Sequence, residues 1–162
     1  MVAALALLAF ARQLANAPQL LGGTWLNGSP VSLSARKGKV TMVEFWTLDC
    51  INCKRNLPIY NRLQARFATR GLAIVGVHTP ETKFERSLLR IKAEIKRERI
   101  QYPILVDNDG RNWNTWNVTA WPTVFLVNKK GQVCFKYEGE LNWEDYPGEA
   151  KLAAEIQELL SD

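Results

Sequence analysis

Two cysteines separated by two residues are the feature of this sequence best suited to chemistry. Cys50 and Cys53 follow residues 40–46, whose β-branched and aromatic side chains predict a strand. They open residues 51–70, where apolar side chains recur at the helical period. The first turn of a helix has unpaired N–H groups and a partial positive charge, and both favour an anion. We therefore predict that Cys50 is the more readily ionised thiol and the nucleophile, and that Cys53 is the resolving thiol.

Thiol–disulfide exchange is the chemistry that this pair favours. A thiolate attacks a substrate disulfide, a mixed disulfide forms, and the second thiol displaces the substrate. Two alternatives are an inert buried pair and half of a zinc site that Cys134 and His78 could complete. The sequence has no second pair of ligands at zinc-binding spacing, and Cys134 lies in an apolar strand pattern. We therefore predict redox chemistry without a metal or a cofactor.

The order of the predicted elements indicates the fold class. Strand and helix patterns alternate through the middle of the chain, which is typical of a parallel sheet with helices on both faces. A terminal hairpin adds antiparallel strands, so we predict an α/β fold with a central mixed sheet. The predicted elements are a helix over residues 2–16, a hairpin over 25–33, strands over 40–46, 72–77 and 104–106, helices over 51–70, 81–99, 111–116 and 151–160, and a hairpin of 123–127 with 132–137. In the helix over 81–99, the predicted apolar side consists of Phe84, Leu88, Ile91 and Ile95.

Two separate stretches carry a resemblance to a known family. Residues 43–53 (Val-Glu-Phe-Trp-Thr-Leu-Asp-Cys-Ile-Asn-Cys) resemble the active-site strand and helix of the thioredoxin superfamily, and residues 121–123 (Trp-Pro-Thr) resemble its cis-proline loop. Together with residues 76–81 (Gly-Val-His-Thr-Pro-Glu), they are most similar to the TlpA/ResA/DipZ-like group of exported thiol–disulfide oxidoreductases. The resemblance covers residues 24–160 and implies a thioredoxin-like fold.

The resemblance also implies roles for four further residues. Glu44 matches a buried carboxylate that exchanges a proton with Cys53; the alternative is a glutamate on a partly solvated strand end. Glu81 matches a glutamate that lies beside the disulfide and tunes thiol acidity; the alternative is a helix N-terminal acid. Trp121 and Pro122 match a loop that faces the disulfide and pairs with an extended substrate strand.

The N-terminus bears on location. Residues 2–10 are apolar but too few to span a bilayer as a helix, and Ala15-Asn16-Ala17 resembles the small-x-small site at which a secretory signal is cleaved. No basic residue precedes the apolar run, so an export signal or anchor and a plain packed helix both stay open. We predict two units: residues 1–23, and a thioredoxin-like domain over 24–162. We expect an extracytoplasmic location with N-terminal membrane association.

The net charge of +5 gives little indication of a partner. The basic residues cluster over 86–99, where Glu94 and Glu98 are interspersed, and this pattern indicates a solvated helix face. Aromatic residues do not alternate with these charges, so we expect no nucleic-acid partner.

A thiol–disulfide oxidoreductase is therefore the predicted function, acting as a monomeric reductase on protein or peptide disulfides. An upstream thiol–disulfide donor is the expected second partner, and apocytochrome c is the substrate class that the resemblance implies. One alternative is a peroxiredoxin-like peroxidase. The Thr-x-x-Cys spacing of Thr47 and Cys50 favours it, but Val43 stands where a peroxiredoxin would have a proline. Another is a non-catalytic thioredoxin-like interaction module. The sequence leaves the direction open, because thioredoxin-fold potentials range from about −270 to about −120 mV.

Overall fold

A six-stranded mixed sheet with helices on both faces forms the part of the chain, residues 14–162, that the computed structural model describes. The α/β class and the layered architecture predicted from the sequence are confirmed. The strands are β1 Thr24–Leu26, β2 Val40–Trp46, β3 Leu72–His78, β4 Ile104–Val106, β5 Thr123–Val127 and β6 Val133–Glu138. The α-helices are α1 Ile51–Phe67, α2 Leu88–Arg97, α3 Arg111–Thr115 and α4 Gly148–Ser161.

The centre of the sheet is β2, in which all seven residues are buried. The sheet order is β1-β4-β3-β2-β5-β6, with β2 parallel to β3 and antiparallel to β5. A strand covered on both faces needs apolar side chains at nearly every position, which explains its continuous hydrophobic pattern. Met42 and Trp46 belong to the core that α1, α2 and α4 cover, whereas Val43 and Phe45 belong to the core on the opposite face.

The loops that follow the parallel strands meet at one edge of the sheet. The backbone N–H of Thr79, after β3, donates to the carbonyl of Trp46 at the end of β2 (3.1 Å). The N–H of Asp107, after β4, donates to the carbonyl of His78 (2.8 Å). Thr123 opens β5 opposite Phe45, so residue 122 also lies at this edge. The edge thus gathers the segment before α1 together with the loops around residues 79, 107 and 122, as expected at the carboxyl ends of parallel strands.

The predicted hairpin over residues 25–33 is wrong. Only β1 forms there, and it pairs antiparallel with β4, Trp25 lying opposite Leu105. Asn27 adopts a left-handed conformation with φ 59°, and its side-chain amide donates to the carbonyls of Ile100 (2.8 Å) and Tyr102 (3.0 Å). The Asn-Gly pair therefore ends an edge strand instead of turning one strand back on the next.

The single helix predicted over residues 81–99 is also wrong. The chain forms a 3-10 helix at Lys83–Arg86 and then α2, separated by Ser87 in an extended conformation. The hydroxyl of Ser87 accepts from the N–H of Arg90, so Ser87 starts a new helix. Of the predicted apolar side, Ile91 and Ile95 are buried, whereas Phe84 and Leu88 are exposed.

The predicted N-terminal helix over residues 2–16 lies outside the described residues except for its last three. Those three are not helical. The carbonyl of Ala15 accepts from the N–H of Val133 (3.0 Å), and Asn16 forms a bridge with Gln132, so this segment lies extended beside the start of β6.

Candidate active site

A disulfide joins Cys50 and Cys53 at the start of α1. Cys50 is the N-cap residue, and its sulfur accepts a hydrogen bond from the backbone N–H of Cys53 (3.1 Å). Cys50 is partly exposed, whereas Cys53 is only 1% exposed. A reagent arriving from solvent therefore reaches the Cys50 sulfur, and Cys53 is positioned to react with Cys50 from inside.

Glu44 is a fully buried carboxyl group on the sheet face that α1 covers. Its strand neighbours Met42 and Trp46, which point to the same face, belong to the same core cluster as Cys53. Oε1 accepts a hydrogen bond from the Tyr102 hydroxyl (3.3 Å), and within residues 14–162 Oε2 has no partner. Burial raises the pKa of Glu44 well above its ordinary value, although the Tyr102 bond lowers it. The alternative of a solvated strand end is therefore wrong, and the environment of Glu44 favours the protonated carboxyl group over the carboxylate.

Gly76 makes the room that this glutamate needs. It lies opposite Glu44 in β3. A Cβ at this position would lie 2.6 Å from Glu44 Oε1, and it would also overlap Ile104 Cδ1. The absence of a side chain at residue 76 therefore allows the longer carboxyl side chain to be buried between the sheet and α1.

Glu85 is a second buried carboxyl group, which the sequence reasoning missed. Oε1 accepts from the Thr47 hydroxyl (2.8 Å) and the Asp49 N–H (2.9 Å), and Oε2 accepts from the N–H groups of Glu81 (2.7 Å) and Thr82 (2.8 Å). Burial raises the pKa of Glu85, but these four hydrogen bonds outweigh it and lower the pKa below its ordinary value. Glu85 thus ties the segment before Cys50 to the loop after β3. The Thr-x-x-Glu spacing of residues 82 and 85, a capping box, is the sequence signal that could have found it.

The other acid considered for this loop, Glu81, has an exposed side chain, and only its backbone N–H joins the Glu85 cluster. His78 is buried and packs edge to face on Trp46 (ring centroids 5.1 Å apart). Burial lowers the pKa of His78 to about 4, against the opposing charge of Glu85. The imidazole is therefore neutral at neutral pH and contributes to packing.

Trp121 and Pro122 lie at the same edge of the sheet, joined by a cis peptide bond. Pro122 is buried, and its carbonyl accepts from the Gly139 N–H (2.8 Å). The partly exposed Trp121 ring packs on Trp113, with ring centroids 4.1 Å apart. The carboxylate of Asp107 in turn accepts a hydrogen bond from the backbone N–H of Trp113 (2.9 Å), which anchors helix α3. This set of contacts holds the exposed face of Trp121 in one orientation.

The zinc alternative has no geometric support in the described residues. No three side chains among their His, Cys, Asp and Glu residues converge on a point where a metal ion could sit. Cys134 is half-buried, donates its thiol hydrogen to the Leu126 carbonyl (3.3 Å), and has a pKa raised by burial. Over residues 14–162, we also find no helix with the length and apolar character that a membrane span requires.

The chain is similar to several known proteins. A profile of the AhpC/TSA family matches residues 15–136. Protein DipZ of Mycobacterium bovis is 36% identical over 122 residues, covering 73% of this chain. Thiol-disulfide oxidoreductase ResA of Bacillus cereus is 29% identical over 125 residues, covering 77% of this chain and 69% of its own. The crystal structure of a thioredoxin-like superfamily protein superposes with a TM-score of 0.80 at 25% identity, covering 91% of this chain and 97% of the other.

The chain corresponds to only part of some of these relatives. The segment matched in DipZ makes up 18% of that protein's length. The region that matches the AhpC/TSA profile, residues 15–136, includes both cysteines, Glu44, Glu85 and the Trp121–Pro122 loop.

Proposed function

Because the chain belongs to the AhpC/TSA family and has a thioredoxin-like fold, we propose that it is a thiol–disulfide oxidoreductase that reduces disulfides in other proteins. The observation that carries the proposal is the pairing of a partly exposed Cys50 at a helix N-terminus with a buried Cys53. This asymmetry supports attack by Cys50 and resolution by Cys53.

The proposed reaction moves two electrons to the substrate. The Cys50 thiolate attacks one sulfur of the substrate disulfide, that bond breaks, and the departing substrate sulfur takes up a proton. Cys53 then loses its proton, and its thiolate attacks the Cys50 sulfur. The Cys50–Cys53 disulfide forms as the second substrate thiol leaves and is protonated.

Glu44 is proposed to exchange the proton of Cys53. Support comes from its complete burial, its position on the sheet face that α1 covers, and its raised pKa. A carboxyl group with a pKa near the working pH can both release and accept a proton in successive steps.

Trp121 and Pro122 are proposed to bind an extended segment of the substrate by β-strand addition. The orientation of Trp121, fixed by Trp113, supports this, because an ordered aromatic surface loses little freedom on binding. Glu81 is the second acid proposed to influence thiol acidity, on the strength of its place in the loop that the Glu85 carboxylate ties to the segment before Cys50.

The proposed setting is an extracytoplasmic compartment. The apolar run over residues 2–10 and the small-x-small site at 15–17 support export or N-terminal membrane association. An upstream thiol–disulfide protein would return the pair to the dithiol form, and apocytochrome c is the substrate class proposed from the ResA-like resemblance. We propose that the chain acts as a monomer.

Reduction of insulin by dithiothreitol tests the activity. We expect the wild-type chain to accelerate it, Cys50→Ser to abolish the acceleration, and Cys53→Ser to trap a mixed disulfide. Full activity of Cys50→Ser would overturn the proposal, and peroxide consumption without disulfide reduction would favour the peroxidase alternative. A potential for the Cys50/Cys53 couple well above about −200 mV would assign an oxidant instead of a reductase.

A further inference from the structure

Four large apolar side chains are exposed beside the segment that leads into Cys50. Ile51 is 61% exposed, Phe84 80%, Leu88 39% and Leu89 79%. Within residues 14–162, seven large apolar side chains are exposed, and these four are the ones that belong to the start of α1 and to the segment running from the 3-10 helix into α2. Such a concentration of exposed apolar area is typical of an interaction site. We call these four residues the Phe84 surface.

The Phe84 surface is held firmly against the Cys50 segment. The Glu85 carboxylate, next to Phe84 in the chain, accepts the Asp49 N–H (2.9 Å). The Arg90 guanidinium donates both to the Phe84 carbonyl (3.0 Å) and to the Asp49 carboxylate (3.3 Å). Asp49 immediately precedes Cys50, so these bonds fix the backbone that carries Phe84 next to the segment that leads into the reactive cysteine.

The rim of this surface carries more positive than negative charge: Lys83, Arg86 and Arg90 are exposed, against Glu81 and Asp49. Lys83 and Arg86 stand on either side of Phe84 and Glu85 in the 3-10 helix, and both are exposed. Within the described part of the chain, neither is in an ion pair, whereas the charge of Arg90 is matched by Asp49. An apolar centre with a net positive charge at its rim complements a segment that carries an apolar side chain next to an acidic one.

We infer that the Phe84 surface binds the segment that flanks the reactive disulfide of the substrate protein, and that it selects segments with an apolar side chain next to an acidic residue. The inference rests on the proposed function and specifies its substrate class. A substrate disulfide must approach Cys50, and a polypeptide that does so from the α2 side lies across Phe84. A membrane or a second copy seated there would cover the approach to Cys50 and prevent the exchange.

Two peptide disulfides of equal length test the inference directly. One carries Leu-Glu beside its cystine and the other Ser-Lys; hydroxyethyl disulfide serves as a small substrate that cannot reach Phe84. For the wild-type chain, reduced beforehand with dithiothreitol, we expect kcat/KM for the Leu-Glu peptide to exceed that for the Ser-Lys peptide. In the double variant Phe84→Ser/Leu89→Ser, we expect the Leu-Glu value to fall about tenfold or more relative to the hydroxyethyl disulfide value, because burial of a single large apolar side chain is worth at least that factor.

Two further variants separate the contributions. Lys83→Glu/Arg86→Glu should invert the preference between the Leu-Glu peptide and a Leu-Lys peptide of the same length, which differ in charge alone. Trp143→Ser, which removes an aromatic side chain that is 53% exposed outside the Phe84 surface, should leave the ratio of peptide to small-disulfide activity unchanged.

The docking role of the Phe84 surface can be overturned without overturning the proposed exchange activity. Loss of both peptide and hydroxyethyl disulfide reduction in Cys50→Ser supports the exchange activity whatever Phe84 does. An unchanged peptide-to-small-disulfide ratio in Phe84→Ser/Leu89→Ser would overturn the docking role. So would a wild-type dimer in sedimentation that the double variant converts to a monomer, or binding to phosphatidylglycerol vesicles that the double variant loses.

Discussion

The pKa values of the two buried glutamates near the disulfide are shifted in opposite directions, although neither side chain reaches solvent. Glu44 lies between the sheet and α1 with a single hydrogen bond from Tyr102, and burial raises its pKa. Glu85 lies in front of the sheet edge with four donors, and those bonds lower its pKa despite burial. Burial raises the pKa of both groups; the four hydrogen bonds to Glu85 outweigh it, whereas the single Tyr102 bond to Glu44 does not.

The comparison assigns a different purpose to each residue. An ionised carboxylate with all its bonds satisfied is a structural anchor, and Glu85 holds together the segment before Cys50 and the loop after β3. A buried carboxyl group with a raised pKa and one unpartnered oxygen can change its protonation state, and Glu44 has that freedom on the sheet face that α1 covers. Substitutions at or beside each glutamate test the two roles separately.

Removal of the Glu85 carboxylate should have the largest effect. Glu85→Ala leaves the Thr47 hydroxyl and the N–H groups of Asp49, Glu81 and Thr82 without their acceptor. We expect the free energy of unfolding to fall by about 3 to 5 kcal/mol, because each buried donor left unpaired costs about 1 to 3 kcal/mol and solvent recovers part of that. Urea denaturation measures it. Glu158→Ala, on the exposed side of α4, is the control; equal losses in the two variants would contradict the anchoring role.

Filling the space at Gly76 should have the next largest effect. A Cβ there overlaps Glu44 Oε1 and Ile104 Cδ1. We expect Gly76→Ala to lower the free energy of unfolding by about 1 to 3 kcal/mol, the usual range for overpacking a core. Glu44→Asp withdraws the carboxyl group, so the loss caused by Gly76→Ala should be smaller in the Glu44→Asp background. Additive losses in this double-mutant cycle would show that Gly76 and Glu44 are not coupled.

The raised pKa of Glu44 predicts a pH dependence of stability. The folded state holds this proton more tightly than the unfolded state, so the stabilisation is complete below the unfolded pKa of about 4.3 and is lost as pH rises towards the folded pKa. The free energy of unfolding of the wild type should therefore fall relative to that of Glu44→Gln as pH rises above about 4.3. The total fall is roughly 1.4 kcal/mol for each unit of separation between the folded and unfolded pKa values. Glu85→Gln should show the opposite trend, since the depressed pKa of Glu85 stabilises the fold above about 4.3 and this contribution is lost below it. Parallel slopes for the two variants would contradict the comparison.

The sequence predicts the central elements well because their information is local. The strand β2 is rich in β-branched and aromatic residues, β3 is a nearly continuous apolar run, and α1 shows the helical period directly. The pairing of β1 with β4 is not local: Trp25 meets Leu105 eighty residues away, and no pattern within residues 25–33 records that partner. Similarly, the donors around Glu85 come from separate segments that meet only once β2 and β3 are aligned. The sequence pattern placed Phe84 on the buried side of one long helix. Phe84 is instead exposed, because Ser87 ends the 3-10 helix and starts α2 within an otherwise uninterrupted helical pattern.

The smallest effect is expected at Glu81, and it decides which glutamate of the loop influences the disulfide. Its side chain is exposed, so water screens its charge, whereas the Glu85 carboxylate bonds directly to the N–H of the residue before Cys50. We expect Glu81→Gln to shift the reduction potential of the Cys50/Cys53 couple less than Glu85→Gln does in the same glutathione titration. Both substitutions remove one negative charge from the same loop, so each is the matched control for the other. A larger shift in Glu81→Gln would make Glu81 the acid of this loop with the stronger influence on thiol acidity. Glu85 would then have a structural role alone, because a residue that only holds the backbone in place affects the free energy of unfolding without setting the pKa of Cys50.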